Sequence, residues 1–432
     1  MGEDKFDVII VGGGLAGLTA GIVLAEHELE VLLIERGDYC GSKNVTGGRL
    51  YGHSLEKVIP GFAEEAPIER VIKKERISLM TEDTSVDIGI TSKKFSTEPE
   101  NTSYSVLRGK FDRWLEGKAE EAGVMLVQGI RVDHILTDEE GKVIGIDAAE
   151  EEMYADCVIL ADGVNSLLAQ ELGMKKELEP DQVAVGAKEV IRLGEEVINE
   201  RFGVSSGEGV AWMAAGDPTT GGFGGGFIYT NKDSVSVGVV ATLSDIGYTD
   251  ISVPTLVDRF KEHPAIAPLL EGGETLEYAA HLVSEDGIYM VPELYRDGVL
   301  VVGDAAGLVV NLGFTVRGMD FAIESGRLAA ETILKAHEMR DYSAKMLSAY
   351  EQALEDSFVL RDMRAYKGFP ALTANRMIYK NLPETAEEIV TKLFTVDGKQ
   401  DPDLVSVLLQ SLLGMASPAQ LLGLAGIALE SL

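Results

Sequence analysis

The sequence predicts an α/β protein in three parts: a parallel-sheet nucleotide-binding domain assembled from separated segments, an inserted antiparallel-sheet domain, and a mostly helical C-terminal region. Three observations predict it. A β-branched apolar run leads straight into Gly12-x-Gly14-x-x-Gly17. Two distant strand patterns end on an Asp beside glycine, ADG at 161–163 and GDAAG at 303–307. The stretches 68–100 and 182–285 are rich in strand-like sequence, with only one helical interruption.

The first unit is a βαβ. Asp7 to Val11 (DVIIV) has the composition of a buried parallel strand. After the glycine loop, Leu15 to Glu26 reads as a helix rich in Ala and Leu, and Glu30 to Glu35 (EVLLIE) as the second strand. Gly12 permits the tight turn, Gly14 lets the backbone approach a pyrophosphate, and Gly17 allows close strand–helix packing. Ala16 belongs to the same loop–helix junction. The helix N-terminus then offers free N–H groups and its positive dipole end to an anion. Glu35 closes the second strand, where a carboxylate accepts hydrogen bonds from a ribose, and Arg36 follows it.

Further along, Arg108 to Ala122 reads as an amphipathic helix, and Val124–Val127, Arg131–Leu136, Gly141–Ile146 and Met153–Leu160 as strands. From 182 to 285 come AVGAKEVIRL, GFIYTNKD, SVSVGVVATL and AAHLVSEDGIYMV, with a helix at about Thr255–His263 before the last. Gly298–Val302 restores a buried strand before GDAAG, and Met319–Met339 is a long helix. The expected division is 1–67, 101–181 and 286–345 for nucleotide binding, 68–100 and 182–285 for the inserted sheet, and 346–432 for the helical remainder. No charged residue occurs from Leu404 to Leu429. Asp401–Pro402 and Ser417–Pro418 are helix-start signals, so two short apolar helices fit better than one span. Packing against core or partner and monotopic membrane contact both remain open there.

The formal net charge of −33 in 432 residues makes nucleic acid a poor partner and disfavours anionic lipid heads. A solvated acidic surface is the simple reading; steering of a basic protein partner is the sharper one. Two cysteines, Cys40 and Cys157, cannot ligate a four-iron cluster, and the six histidines show no metal-ligand spacing. Any iron–sulfur centre is therefore expected on another chain. The N-terminus has neither the basic region nor the cleavage site of a signal peptide.

The glycine fingerprint alone does not separate NAD from FAD. The later motifs do: an Asp at a strand end, beside glycine and entering a helix, suits a ribityl or ribose hydroxyl with phosphate nearby. One such junction is equally well a capped helix; three in this order are not. GxGxxG…E, LRGKFDRWL, ADG and GDAAG together resemble the flavoprotein superfamily of p-hydroxybenzoate hydroxylase and the geranylgeranyl reductases. That resemblance implies non-covalent FAD. It assigns the ribityl contact to Asp304 (with Gly303 in the turn), cofactor contacts to Arg108, Ala161, Asp162 and Gly163, and a backbone contact with adenine to Val132.

GSKNVTGGRLYGHSLEKVIPGF (41–62), GGFGGGFIYTNKDSVSVGVV (221–240) and GDAAGLVVNLGFTVRGMDFAIESGRLAAE (303–331) are similar to the FixC and electron transfer flavoprotein–quinone oxidoreductase family. The resemblance implies that Lys43, Asn44, Thr46, Gly47 and Gly48 pass close to the isoalloxazine. It also implies that Gly318 and Met319 aim backbone N–H groups at the same ring edge. Glycine weakens a strand, so the run at 221–226 points to close approach of a ligand or another backbone; the resemblance puts it near the flavin face and a quinone tunnel. Expected partners are the electron transfer flavoprotein α and β subunits, a small ferredoxin-like subunit carrying the clusters, and membrane quinone. The expected location is peripheral, on the inner face of the cell membrane. No catalytic side chain is evident. Two rivals stand: a geranylgeranyl reductase-like prenyl saturase and a non-catalytic FAD-holding subunit. Donor, quinone type, direction of flow and electron bifurcation lie beyond the sequence.

Overall fold

The computed structural model describes residues 5–44, 48–246, 251–398, 403–415 and 426. Lys5–Val11 lies in the middle of an eight-stranded sheet, paired in parallel with Val31–Glu35 on one side and Glu151–Leu160 on the other. Met125–Gln128 and Val299–Val301 extend this parallel core outwards. The hairpin Val132–Thr137/Val143–Ala148 joins the start of Glu151–Leu160 antiparallel, and Tyr295–Arg296 closes the far edge. Val8, Ile9, Ile10, Leu33, Val158 and Ile159 are fully or almost fully buried, as near-continuous apolar strands covered on both faces should be.

Register then decides where the motifs emerge. Val11 lies opposite Leu160, and Leu160 opposite Val301. The Ala161 N–H donates to the Val11 carbonyl at 2.8 Å, and the Val302 N–H to the Leu160 carbonyl at 3.0 Å. The glycine loop, ADG and GDAAG therefore leave one sheet edge side by side, although they are far apart in sequence. Helix Leu15–Ala25 packs between Met319–Met339 and Arg108–Ala122. Its crossing with Met319–Met339 is at backbone contact: a Cβ on Gly326 would lie 2.2 Å from the Ala16 carbonyl oxygen.

The second sheet has nine strands. Its path runs Glu274–Ser284, Val183–Arg192, Ser234–Thr242, Gly224–Thr230, Glu208–Gly216, Ile68–Met80, Ser103–Val106, Arg49–Tyr51, with Ser85–Thr91 also on Ile68–Met80. It is antiparallel except where Ile68–Met80 meets Glu208–Gly216 in parallel. Hairpin neighbours must run antiparallel; Ile68–Met80 arrives from a remote segment and is free of that constraint. Arg70, 2% exposed, ties this junction by donating to the Asn199 side chain (2.6 Å) and the Glu208 carbonyl (2.8 Å). Helix Val253–Glu262 covers one face, with Leu256, Val257 and Phe260 against Trp212, Ile228 and Val237.

Two local expectations shift. The strand expected through GIYMV becomes a short 3-10 turn, Gly287–Met290. The helix expected at Thr255–His263 begins earlier, because the Ser252 hydroxyl accepts from the Thr255 N–H at 3.4 Å and Pro254 follows in the first turn. At the C-terminal end, Asn381–Phe394 packs on Ile68–Met80, Ser85–Thr91 and Leu404–Met415. Asp403 caps the last of these, its carboxylate accepting from the Ser406 N–H at 2.8 Å. Asp401–Pro402 and Ser417–Pro418 lie outside the described residues. No helix among the described residues is long and apolar enough to cross a membrane.

Candidate functional site

A cavity of about 850 Å³ runs along the seam between the two sheets. One end is built from the three strand ends. Gly12, at φ +109°, sits against the neighbouring strand: a Cβ there would lie 2.3 Å from the Ala161 carbonyl oxygen. A Cβ on Gly14 would meet nothing within 4 Å, so this position faces open space in front of the helix N-terminus. Gly17 does not reach the cavity wall; its missing Cβ lets the Gly12 carbonyl pass, at 2.1 Å from where that atom would be. Gly12, Gly14 and Ala16 line the cavity.

Glu35 and Arg36 form the next part of the wall. The Glu35 carboxylate accepts from the Gly13 N–H at 2.8 Å and the Gly37 N–H at 2.6 Å, which fixes it at the end of its strand with lone pairs to spare. Val132 lines the cavity near Arg131 and His134. Ala161, Asp162 and Gly163 face in from the opposite strand, and the Ser166 hydroxyl holds Asp162 at 2.8 Å.

Asp304 also lines the cavity, and among the described residues its carboxylate takes no hydrogen bond. Burial pushes its pKa up; Arg108, then His281 and Lys175, oppose that with positive charge. A carboxylate left short of partners in a pocket is poised for hydroxyl donors from a ligand. Gly303, at φ +60°, makes the turn behind it, and its N–H donates to the Ser325 hydroxyl at 2.9 Å. Lys175 is a residue the sequence did not single out. It is buried, and its ammonium donates to the Val164 carbonyl at 2.7 Å and the Ala305 carbonyl at 2.9 Å, clamping the ADG and GDAAG turns together. Burial lowers its pKa to about 8. His281 lines the same region, and burial lowers its pKa too.

Arg108 forks onto Asp112, Nε and Nη2 each donating at 2.7 Å, and the Asn44 amide donates to the same carboxylate at 2.6 Å. Asp112, fully buried one helical turn on, thus positions Arg108 and Asn44 together. Lys43, Asn44 and Gly48 line the cavity, whereas Thr46 and Gly47 lie outside the described residues. Gly48 packs face-on to the Tyr229 ring, 2.1 Å from where a Cβ would be. Gly318 and Met319 open helix Met319–Met339 onto the cavity. The first turn of that helix also holds Asp320, fully buried beside Arg317 (2.6 Å) and His53 (3.1 Å). Arg317 compensates its negative charge within that turn.

Beyond this end the wall turns apolar: Ile77, Leu79, Met213, Leu312, Leu372 and Ile378. Gly224, Gly225 and Gly226 line it, but each is glycine because of the protein's own packing. Their Cβ atoms would meet the Val240 carbonyl at 2.0 Å, the Ala214 carbonyl at 2.4 Å and the Phe260 ring at 2.6 Å. Glu285 and Asn311 are polar groups that also line the cavity, and neither was expected from sequence.

The FAD-binding-domain family matches residues 5–193, and the family described as ETF-QO, ubiquinone-binding, matches residues 183–283. A probable electron transfer flavoprotein–quinone oxidoreductase of Escherichia coli K12, YdiS, is 50% identical over 92% of each chain. Protein FixC of the same organism is 51% identical over 94% of each chain. The chain belongs to the FixC/electron transfer flavoprotein–quinone oxidoreductase family. Within the family, FixC of Azorhizobium caulinodans stands at 41% identity over 92% of each chain. Among solved structures, a geranylgeranyl bacteriochlorophyll reductase-like protein from Thermoplasma acidophilum superposes with a TM-score of 0.72 at 23% identity, covering 98% of this chain and all of that one. The myxobacterial halogenase CndH gives 0.65 at 16% identity, with 96% and 91% covered. These structural likenesses establish a shared fold.

Proposed function

We propose that this chain is an FAD-dependent oxidoreductase that carries electrons from an electron transfer flavoprotein, through its α and β subunits, to a membrane quinone. The observation that supports it best is the continuity of one cavity: a polar end with an open glycine loop and Asp304, which takes no hydrogen bond among the described residues, runs directly into an apolar end. When bound, FAD exchanges one or two electrons at a time and so joins a one-electron donor to a two-electron acceptor.

The chain's own residues divide the work. Gly12, Gly14 and Ala16 present the N-terminus of helix Leu15–Ala25 to the pyrophosphate, with Gly17 keeping that helix close. Glu35 takes the ribose hydroxyls beside Arg36, and Val132 borders the adenine. Asp304, with Gly303 behind it, accepts from the ribityl chain, while Ala161, Asp162 and Gly163 close the facing side. Arg108, Lys43, Asn44 and Gly48 form the loop side of the ring pocket. Gly318 and Met319 direct backbone N–H groups at the ring edge, where they stabilise negative charge. The apolar walls exclude water and accept a quinone head and part of its tail.

The two buried cysteines leave cluster chemistry to a small ferredoxin-like partner subunit. Docking to the inner face of the cell membrane uses the exposed apolar groups Phe394, Val396, Leu404, Val405, Leu409 and Leu413. With a net charge of −33, this contact is carried by apolar insertion, and the acidic surface is left to face a basic partner. The test is purification with its native partners, a flavin and iron count on each chain, and quinone reduction driven by reduced electron transfer flavoprotein. A chain without FAD, or one whose FAD the quinone leaves reduced, contradicts the proposal.

A further inference from the structure

We propose that the Glu285 carboxyl is the proton donor to the quinone, reloaded from water through a second cavity behind it. This rests on the quinone reading above and supplies what that reading requires. Converting a quinone to a quinol takes two electrons, supplied by the bound cofactor, and two protons, one for each carbonyl oxygen. A proton delivered inside the cavity has to cross a wall that otherwise excludes water.

Glu285 stands in that wall. It is 6% exposed and lines both the 850 Å³ cavity and a separate one of about 730 Å³. The second cavity carries polar groups in its wall and reaches solvent: Tyr289, which lines it, is 63% exposed. Asp181, Asp245, Asp286 and Lys367 line it. Glu285 Oε2 accepts from the Asn311 amide at 2.9 Å, and the other carboxyl oxygen takes no hydrogen bond among the described residues. Asn311 also lines the main cavity, next to Leu312, and Tyr379 faces Glu285 from the C-terminal helices. The position joins the two spaces, and its amide partner steadies the carboxylate left after the proton departs.

The surroundings keep that proton exchangeable near neutrality. Burial raises the Glu285 pKa to about 7, and the Asn311 hydrogen bond partly opposes it. Besides Glu285, the charged groups of the second cavity are Asp181, Asp245, Asp286 and Lys367, and Arg376 pairs with Asp245 at 3.0 Å. Burial pushes the Tyr379 phenol up, so it stays neutral at this pH. The Glu285 O–H bond breaks, the quinone oxygen facing it gains the hydrogen as an electron arrives, and the carboxylate recovers a proton from water. The oxygen on the far side of the ring takes its proton from water as the quinol leaves.

The test uses the full chain loaded with FAD, as wild type, Glu285→Gln and Glu285→Asp. Each is reduced anaerobically and mixed either with a short-chain ubiquinone or with ferricyanide, which takes electrons without protons. Glu285→Gln is expected to reduce quinone about 10²-fold more slowly, to lose the wild-type decline in rate above pH about 7, and to reduce ferricyanide at the wild-type rate. Glu285→Asp recovers part of the loss. The infrared band of a protonated carboxyl is expected to titrate with a midpoint near that same pH in wild type and to vanish in Glu285→Gln. Equal quinone rates and pH profiles overturn the proposal, as does equal slowing with ferricyanide, which marks a structural role. If Glu285→Gln fails to hold FAD, the aspartate variant and the wild-type band decide, and a band that does not titrate overturns it. Wild-type protein that reduces ferricyanide but not quinone removes the quinone reading itself.

Discussion

Replacing Gly14 by alanine separates cofactor binding from folding. Gly14 has φ −81° and ψ −179°, a conformation open to any residue, and its added Cβ meets nothing within 4 Å. Its backbone caps helix Leu15–Ala25 without a side-chain bond, so alanine costs the apo protein at most about 1 kcal/mol as a poorer N-cap. In the loaded protein the same methyl occupies the space where a pyrophosphate meets the helix N-terminus. Losing one charge-assisted hydrogen bond costs about 1.5–3 kcal/mol, or about 10- to 150-fold in affinity. Gly12→Ala is the contrasting case. Its backbone is left-handed at φ +109°, and its Cβ would overlap the Ala161 carbonyl at 2.3 Å. Backbone strain of about 1–2 kcal/mol and overpacking of about 1–3 kcal/mol damage the fold itself. The assay is FAD titration by flavin fluorescence quenching, with urea unfolding of the apo protein. Gly14→Ala with wild-type FAD affinity, or with an apo stability loss matching Gly12→Ala, refutes the reasoning.

Asp304→Asn should weaken FAD binding about tenfold or more by the same titration, while the apo protein keeps or gains thermal stability, because a buried carboxylate short of partners is removed. Lys175→Met should destabilise the apo fold by about 2–4 kcal/mol in urea, since two buried carbonyls lose their donor. Stability should also depend on pH through Glu285. Its folded pKa lies above its unfolded value, so its favourable contribution is complete at low pH and is lost as pH rises towards about 7. Relative to Glu285→Gln, the wild type should lose on the order of 3 kcal/mol between about pH 4.5 and 7; parallel curves for the two proteins contradict this. Leu404→Glu combined with Leu409→Glu should abolish sedimentation with phosphatidylcholine vesicles, and retained binding at the wild-type level counts against that apolar face.

The nucleotide end was readable in the sequence because each of its parts is local. A glycine loop between a strand and a helix, a carboxylate ending the next strand, and an Asp beside glycine all announce themselves within a few residues. What brings them to one edge is the register of parallel strands, and the apolar runs at 7–11, 157–160 and 299–301 implied a shared sheet without stating the pairing. The remaining site residues depend on contacts across the fold. Lys175 sits in an ordinary charged stretch and acquires its role only where two turns converge on it. Glu285 lies in the strand-like stretch AAHLVSEDGIYMV, where nothing marks it out until the chain buries it between two cavities. The glycines at 224–226 pointed to close approach of a ligand or another backbone, and the nearest atoms are the adjacent strands' carbonyls and Phe260. The parallel pairing of Ile68–Met80 with Glu208–Gly216 was equally hidden, because strand alternation carries no direction.

The central claim is that one continuous cavity lets electrons held at its polar end reach a quinone at its apolar end. Stopped-flow mixing of the anaerobically reduced, FAD-loaded chain with a short-chain ubiquinone, read by the return of visible flavin absorbance, tests it directly. Full reoxidation, with one quinol formed per flavin, is expected. Flavin that stays reduced under excess quinone, while ferricyanide still oxidises it, contradicts the account.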